Sequence, residues 1–277
     1  MPLIDAHQHF WTIGGPGQSW PDAGWPRIHR DFGPADLRSA AAGLDLAGTV
    51  LVQSQPDDRD TDWMTATVGR DPLVKAIVGW ADFEQPDAPA RIAELARRPK
   101  LAGLRPMLQG IADTGWILRP AIEPAVAAMQ DHGLRFDALV QPRHLDVLRR
   151  FARRWPDLPI VIDHGAKPFA AEHRLDPWRD EIAALAELPN VWCKLSGLRT
   201  EQAPGQPAAQ LRPYVAHILD VFGDRTMWGS DWPVLLHAGD DYADWVRDAE
   251  NLAGALAQTA HARLFGGAAR AFYGIAA

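Results

Sequence analysis

The sequence predicts an α/β chain folded as one distorted (β/α)8 TIM barrel, and three observations carry that prediction. Apolar runs of strand length recur eight times along the 277 residues. Segments with helical spacing of apolar residues separate most of them. The starts of the runs, near residues 3, 48, 74, 101, 134, 159, 191 and 227, are spaced mostly at the length of one βα unit. Strand alternating with helix implies a parallel sheet, and eight such units in this length favour closure over an open doubly wound sheet. No composition break or linker divides the chain, so residues 1–277 read as a single domain.

The first run, residues 3–10, carries His7 and His9. Alternation along a strand points both histidines to one side, with Asp5 below them. The next runs are 48–53, leading into Gln53-Ser54-Gln55; 74–80, ending at Trp80 just before Asp82; 101–106, with Arg105; and 134–141, ending in Gln141. Residues 159–165 hold Asp163-His164, 191–197 hold Lys194 and Ser196, and 227–233 hold Asp231. Their cores are Val, Ile and Leu with little alternation, as expected of strands covered on both faces. Helical spacing is found at 34–46, 90–98, 123–132, 145–155, 177–188 and 211–222. Pro34, Pro124 and Pro177 mark starts, and Gly48, Gly133 and Gly223 mark stops.

Composition removes several function classes. A formal charge of −7, with no run of five like charges, argues against nucleic-acid and anionic-membrane partners and leaves a small molecule as the expected one. The single cysteine, Cys193, rules out an internal disulfide and fits a reducing compartment. No stretch of 18 apolar residues and no basic-then-apolar leader is present, so the expectation is a soluble, cytoplasmic protein. Its oligomeric state is open. No Gly-x-Gly-x-x-Gly follows a strand and no phosphate-loop motif occurs, so nucleotide binding of those kinds loses its signature.

The C-terminal strand ends of a barrel meet at one mouth, where catalytic groups sit. His7, His9, His164 and Asp231 come from the first, sixth and eighth strands and converge there. Each has a structural alternative: His164 as a core pair with Asp163, Asp231 as a turn or cap. Imidazoles and a carboxylate at one point suit metal ligation or the polarising of a carbonyl. His29, His132, His144, His173, His217, His237 and His261 read as surface groups. Lys194 and Arg105 add positive charge at the mouth, although Lys194 serves equally well as a charge partner of Asp163 or Asp231. Of the twelve tryptophans, Trp11, Trp20 and Trp25 lie in the loop after the first strand, and Trp80 and Trp232 lie at strand ends. Their flat faces suit the C–H face of a sugar, or they pack the mouth shut.

Four motifs in order, Ile4-Asp5-Ala6-His7-Gln8-His9-Phe10-Trp11, Asp163-His164-Gly165-Ala166-Lys167-Pro168, Trp192-Cys193-Lys194-Leu195-Ser196-Gly197 and Trp228-Gly229-Ser230-Asp231-Trp232-Pro233, resemble the amidohydrolase superfamily. Within it they are similar to the "amidohydrolase 2" branch, which holds sugar lactonases of the L-fuconolactonase and L-rhamnonolactonase type and 2-pyrone-4,6-dicarboxylate lactonase. Residues 264–274 are similar to that branch's closing helix, so the resemblance runs from residue 3 to 274. It implies hydrolysis of a small lactone, a sugar aldonolactone first. Asp231 is then the base that activates water, and His7, His9 and His164 hold a metal or polarise the carbonyl. Two-metal members carry Lys or Glu at the fourth strand and His at the fifth, where this chain has Arg105 and Gln141. The expectation is therefore one zinc-like divalent ion on His7, His9, His164 and Asp231, or no metal at all. Arg105, Lys194, Gln141, Trp11, Trp20, Trp80 and Trp232 are the expected substrate contacts, with Arg199 a second arginine near the mouth. Other readings are a pyrone-dicarboxylate lactonase, a mononuclear zinc decarboxylase or hydratase of a ring-cleavage acid, and a barrel that only binds. Retention of all four converging groups argues against the last.

Overall fold

The computed structural model of the chain describes residues 2–15 and 17–276. Its strands are β1 (Leu3–Gln8), β2 (Leu46–Val52), β3 (Val74–Gly79), β4 (Leu101–Leu104), β5 (Arg135–Ala138), β6 (Ile160–Ile162), β7 (Val191–Leu195) and β8 (Thr226–Trp228). They form one sheet in sequence order, parallel throughout. The ring closes between the end of β1 and the segment just past β8. There the Asp231 N–H donates to the His7 carbonyl at 2.8 Å, the His9 N–H donates to the Trp232 carbonyl at 2.8 Å, and Gln8 bridges Trp232 in parallel. The chain is thus a (β/α)8 barrel, nearly closed, and its seam runs through four of the expected site residues, His7, His9, Asp231 and Trp232.

The helices are α1 (Pro34–Ala40), α2 (Asp58–Ala66), α3 (Ala88–Leu95), α4 (Glu123–Asp131), α5 (Leu145–Arg154), α6 (Trp178–Ala186), α7 (Arg212–Phe222), α8 (Leu235–Ala238), α9 (Tyr242–Ala253), α10 (Gln258–Ala262) and α11 (Ala268–Tyr273). All six segments with helical spacing contain one. α1 stops earlier than its apolar spacing suggests, and β2 begins at Leu46, so Gly48 lies inside the strand, where a Cβ would run into the Lys75 side chain. α2 has no apolar stripe to betray it. It starts on Asp57, whose carboxylate accepts from Arg59 N–H, and it buries polar Asp60 and Thr61. No helix among the described residues is long and apolar enough to cross a membrane.

Two apolar clusters build the molecule. The larger fills the layer between strands and helices, with Leu51, Ile77, Phe136, Ile160 and Leu195 meeting Leu148, Ile182 and Ile218. The smaller joins Ile4, Ala6, Val50, Val52, Val78, Val161 and Met227 to Ala268, Ala269, Phe272 and Tyr273 of α11. α11 therefore seals the N-terminal end of the barrel, tied down by Arg135 Nε–H donating to the Phe272 carbonyl at 2.7 Å. Above this apolar plug the barrel interior turns ionic, and above the ionic layer lies the mouth.

Candidate active site

β1 does not keep a strict two-residue alternation. Its register with β2 shifts between Asp5 and Gln8, a bulge that re-aims side chains. His7 and His9 point together as expected, with Nε2 atoms 3.2 Å apart, but Asp5 does not lie below them. Its carboxylate instead accepts from His7 N–H at 3.0 Å, Ser230 N–H at 2.9 Å, Ser230 hydroxyl at 2.6 Å and Tyr242 hydroxyl at 3.0 Å. One buried carboxylate thus braces both sides of the barrel seam. Burial pushes its pKa up to about 6 against the pull of those donors.

His164 and Asp231 both sit at positive φ, 54° and 56°, a conformation that is costly for residues with a Cβ. His164 opens a run of four, His164, Gly165, Ala166 and Lys167, all left-handed. Its ring lies over Gly197, where any Cβ would run into the imidazole, and its Nδ1 is 2.9 Å from Ser196 Oγ. The result is one focus. Asp231 Oδ1 is 3.3 Å from His9 Nε2, 3.7 Å from His7 Nε2 and 3.9 Å from His164 Nε2.

Beneath the focus lies a buried ionic layer. Lys194 Nζ donates to Asp137 at 2.6 Å and faces Asp163 at 3.0 Å and His7 Nδ1 at 3.2 Å. Arg105 is 3.2 Å from Asp163, donates to the Gln53 carbonyl and side chain, and stands 3.4 Å from His7 Nε2. Tyr273 of α11 donates to Asp137 at 2.6 Å, so the plug reaches this layer too. Burial and the Lys194 charge hold His7 well below its ordinary value, and burial lowers His164 to about 4. Burial would raise Asp231, but the imidazoles around it outweigh that and keep its carboxyl below the usual range. Lys194, His7 and Arg105 do the same for Asp163 against its burial. At neutral pH His7 and His164 are therefore neutral beside an ionised Asp231 carboxylate.

This donor set fits one small divalent ion. Zinc sits about 2.0–2.1 Å from imidazole and carboxylate ligands, so neighbouring ligands in a tetrahedral site lie about 3.3 Å apart. The triangle of His7 Nε2, His9 Nε2 and Asp231 Oδ1 has edges of 3.2, 3.3 and 3.7 Å. His9 Nδ1 donates to the Val52 carbonyl at 2.8 Å, which leaves its Nε2 lone pair facing the focus, the usual arrangement of a ligating histidine. A neutral His9 so held accepts a proton or a metal and cannot donate to a carbonyl.

Above the focus opens a cavity of about 410 Å3 whose walls include His9, Arg105, His164, Asp231, Trp20 and Trp25. Several expected contacts lie elsewhere. Lys194 is fully buried between Asp137 and Asp163, so its role as their charge partner holds and a partnership with Asp231 does not. Trp11 is buried edge-on against Trp20 and Phe32, and its Nε1–H donates to the Arg30 carbonyl. Trp232 is packed against Phe10 and Phe32. Trp80 lines a separate groove beside Asp82 and Trp116. Gln141 lies in a third groove, its side chain accepting from Arg143. Arg199 is clasped by Asp240. Of the loop after β1, Pro16 lies outside the described residues.

Some residues were not visible as site groups in the sequence. His237, expected on the surface, lines the cavity and packs at a tilt against Trp25, ring centroids 4.4 Å apart. His144 is buried, its Nδ1 accepting from the Gln141 N–H. Lys167, Thr200 and Glu201 complete the cavity wall on the β6 and β7 side. The four residues at positive φ after β6 mark their importance only once the backbone is known.

The amidohydrolase family model matches residues 4–275. The chain is 49% identical over 276 residues to an L-fucono-1,5-lactonase of Burkholderia ambifaria, covering 98% of this chain and 95% of that one. It is 35% identical over 287 residues to an L-fucono-1,5-lactonase of Burkholderia multivorans, covering 98% and 96%. A solved amidohydrolase of Burkholderia multivorans with bound zinc superposes with a TM-score of 0.92 at 32% identity, over 100% of both chains.

Proposed function

Since this chain belongs to the amidohydrolase family, we propose that it is a lactonase that opens the ring of a sugar lactone by hydrolysis, with L-fucono-1,5-lactone the first substrate to try. The observation that carries the chemistry is the Asp231 carboxylate at the focus of the His7, His9 and His164 imidazoles, with Asp231, His9 and His164 on the cavity wall. The identity to L-fucono-1,5-lactonases supports the substrate class.

The reaction asks for a water nucleophile, a base and stabilisation of the oxyanion. Asp231 takes a proton as the water oxygen bonds to the lactone carbonyl carbon, and the carbonyl π electrons move onto oxygen. Collapse of that adduct breaks the ring C–O bond, and the departing ring oxygen takes the proton back from Asp231, giving the open hydroxy acid. Arg105 brings positive charge to the cavity floor, while Asp163 and Gln53 keep its plane fixed. His164, with Nδ1 facing the Ser196 hydroxyl, can present Nε2–H to the developing negative charge. His7, His9 and Asp231 would hold one zinc ion, which supplies Lewis-acid stabilisation at the carbonyl oxygen.

The cavity's charges favour a neutral substrate over a pyrone dicarboxylate. Arg105 is committed to Asp163, and Lys167 is paired with Glu201 at 2.9 Å. The test is a pH-indicator assay with L-fucono-1,5-lactone and other five- and six-membered lactones. Saturable turnover is expected, with kcat reduced at least about a hundredfold in Asp231→Asn while its thermal melt stays within a few degrees of wild type. Absence of turnover on every lactone overturns the proposal.

A further inference from the structure

Lys167 and Glu201 carry a signal of their own. Their side chains, 17% and 22% exposed, meet at 2.9 Å on the wall of the Asp231 cavity. The pair is only partly buried, at the edge of a cavity, where solvent screening leaves an ion pair a modest contribution to stability, yet Lys167 is held at φ 53° at the end of the left-handed run. That run turns the chain so that His164 and Lys167 reach the same cavity. Glu201 is placed with equal care. Thr200 hydroxyl donates to the Gly197 carbonyl at 2.8 Å, and Arg199 next to it is clasped by Asp240 and the Gln206 carbonyl. Backbone strain on one partner and an anchored loop under the other hold the pair in the cavity wall.

Resting on the lactonase reading above, we infer that Lys167 and Glu201 are the specificity-determining pair of this site, recognising two neighbouring hydroxyls of the sugar ring. An ammonium only donates and a carboxylate only accepts, whereas each hydroxyl does both. Adjacent hydroxyls can therefore bridge the pair, one accepting from Lys167 and the other donating to Glu201. The opposite charges cancel, so the pair attracts a neutral polyol and gives no net pull on a substrate carboxylate. The pair comes from the β6 and β7 loops, across the mouth from Ser54 and Pro56 of the β2 loop and from the Trp20 and Trp25 loop. Hydroxyls on one side and flat apolar surface on the other match the two kinds of surface on a sugar ring.

The test compares kcat/KM for L-fucono-1,5-lactone and for δ-valerolactone, which has the same ring size and no hydroxyls, in wild type, Lys167→Met and Glu201→Gln. The ratio of sugar to plain lactone is expected to fall at least about tenfold in each variant, with Lys167→Arg recovering part of it. A proportional loss on both lactones, or an unchanged ratio, overturns the assignment. Should wild type open neither lactone, the lactonase reading fails. Calorimetric binding of L-fuconate then decides the pair separately: binding by wild type that weakens at least about tenfold in both variants upholds it, and no binding or undiminished binding overturns it.

Discussion

At the scale of single residues the site is a set of ionisation states imposed by surroundings. His7 lies well below its ordinary value and His164 is lowered to about 4, both first by burial, while Asp231 is held ionised below the usual carboxylate range. Both imidazoles are then neutral at neutral pH, and the base is available there. The acidic limb of kcat/KM is expected below about pH 4, not at the ordinary histidine value near 6.5. A limb at 6 to 7 in a pH–rate profile would count against this arrangement. The four central groups could be located in the sequence because His-x-His and two strand-end motifs carry local marks. Their supporting residues carry none. His237 resembles any helical histidine until its ring is placed against Trp25, and Lys194 reads as wall or as interior until Asp137 and Asp163 are placed on either side of it.

At the scale of elements, the strands were legible because each is an apolar run, and their order followed from the βα period. What could not be read was local deviation from regular geometry. The β1 bulge turns Asp5 away from the histidines, and four consecutive left-handed residues after β6 cost about 1–2 kcal/mol for each that is not glycine. Helix α2 stayed hidden because it buries Asp60 and Thr61 rather than an apolar stripe. The seam between β1 and the turn after β8 makes an element-level prediction. Ser230 hydroxyl donates to Asp5 at 2.6 Å, and that same carboxylate holds the His7 N–H. Ser230→Ala should cost about 1–3 kcal/mol in urea unfolding and also lower kcat, since both His7 and Asp231 hang from this joint. A stability loss with kcat intact would separate the joint from the site.

At the scale of the molecule, the barrel is stacked along its axis: the α11 plug, an apolar layer, the Asp137–Lys194–Asp163–Arg105 layer, then the focus. Phe272, buried against Trp192, anchors the plug. Phe272→Ala should therefore cost about 3–5 kcal/mol by urea unfolding, although it lies at the end of the barrel opposite the cavity. Acid stability follows from opposed titrations. Asp5 and Asp137, raised to about 6, take up protons in the folded state between pH 7 and 4 that the unfolded chain does not, which adds stability on acidification. His164 and His7 act in the opposite sense, the unfolded chain binding protons near 6.5 that the folded one refuses. Two against two nearly cancel, so unfolding free energies at pH 7 and pH 5 should agree within about 2 kcal/mol. A larger fall would mean that the buried carboxylates stay ionised. The seam also bears on biosynthesis. Asp5 and Ser230 are 225 residues apart, so a ribosome delivers one bank of the site long before the other. Until the later bank and then the plug emerge, the nascent sheet keeps open edges and an uncovered interior. Such a chain is prone to sticking, and its catalytic centre cannot form until the later bank has emerged.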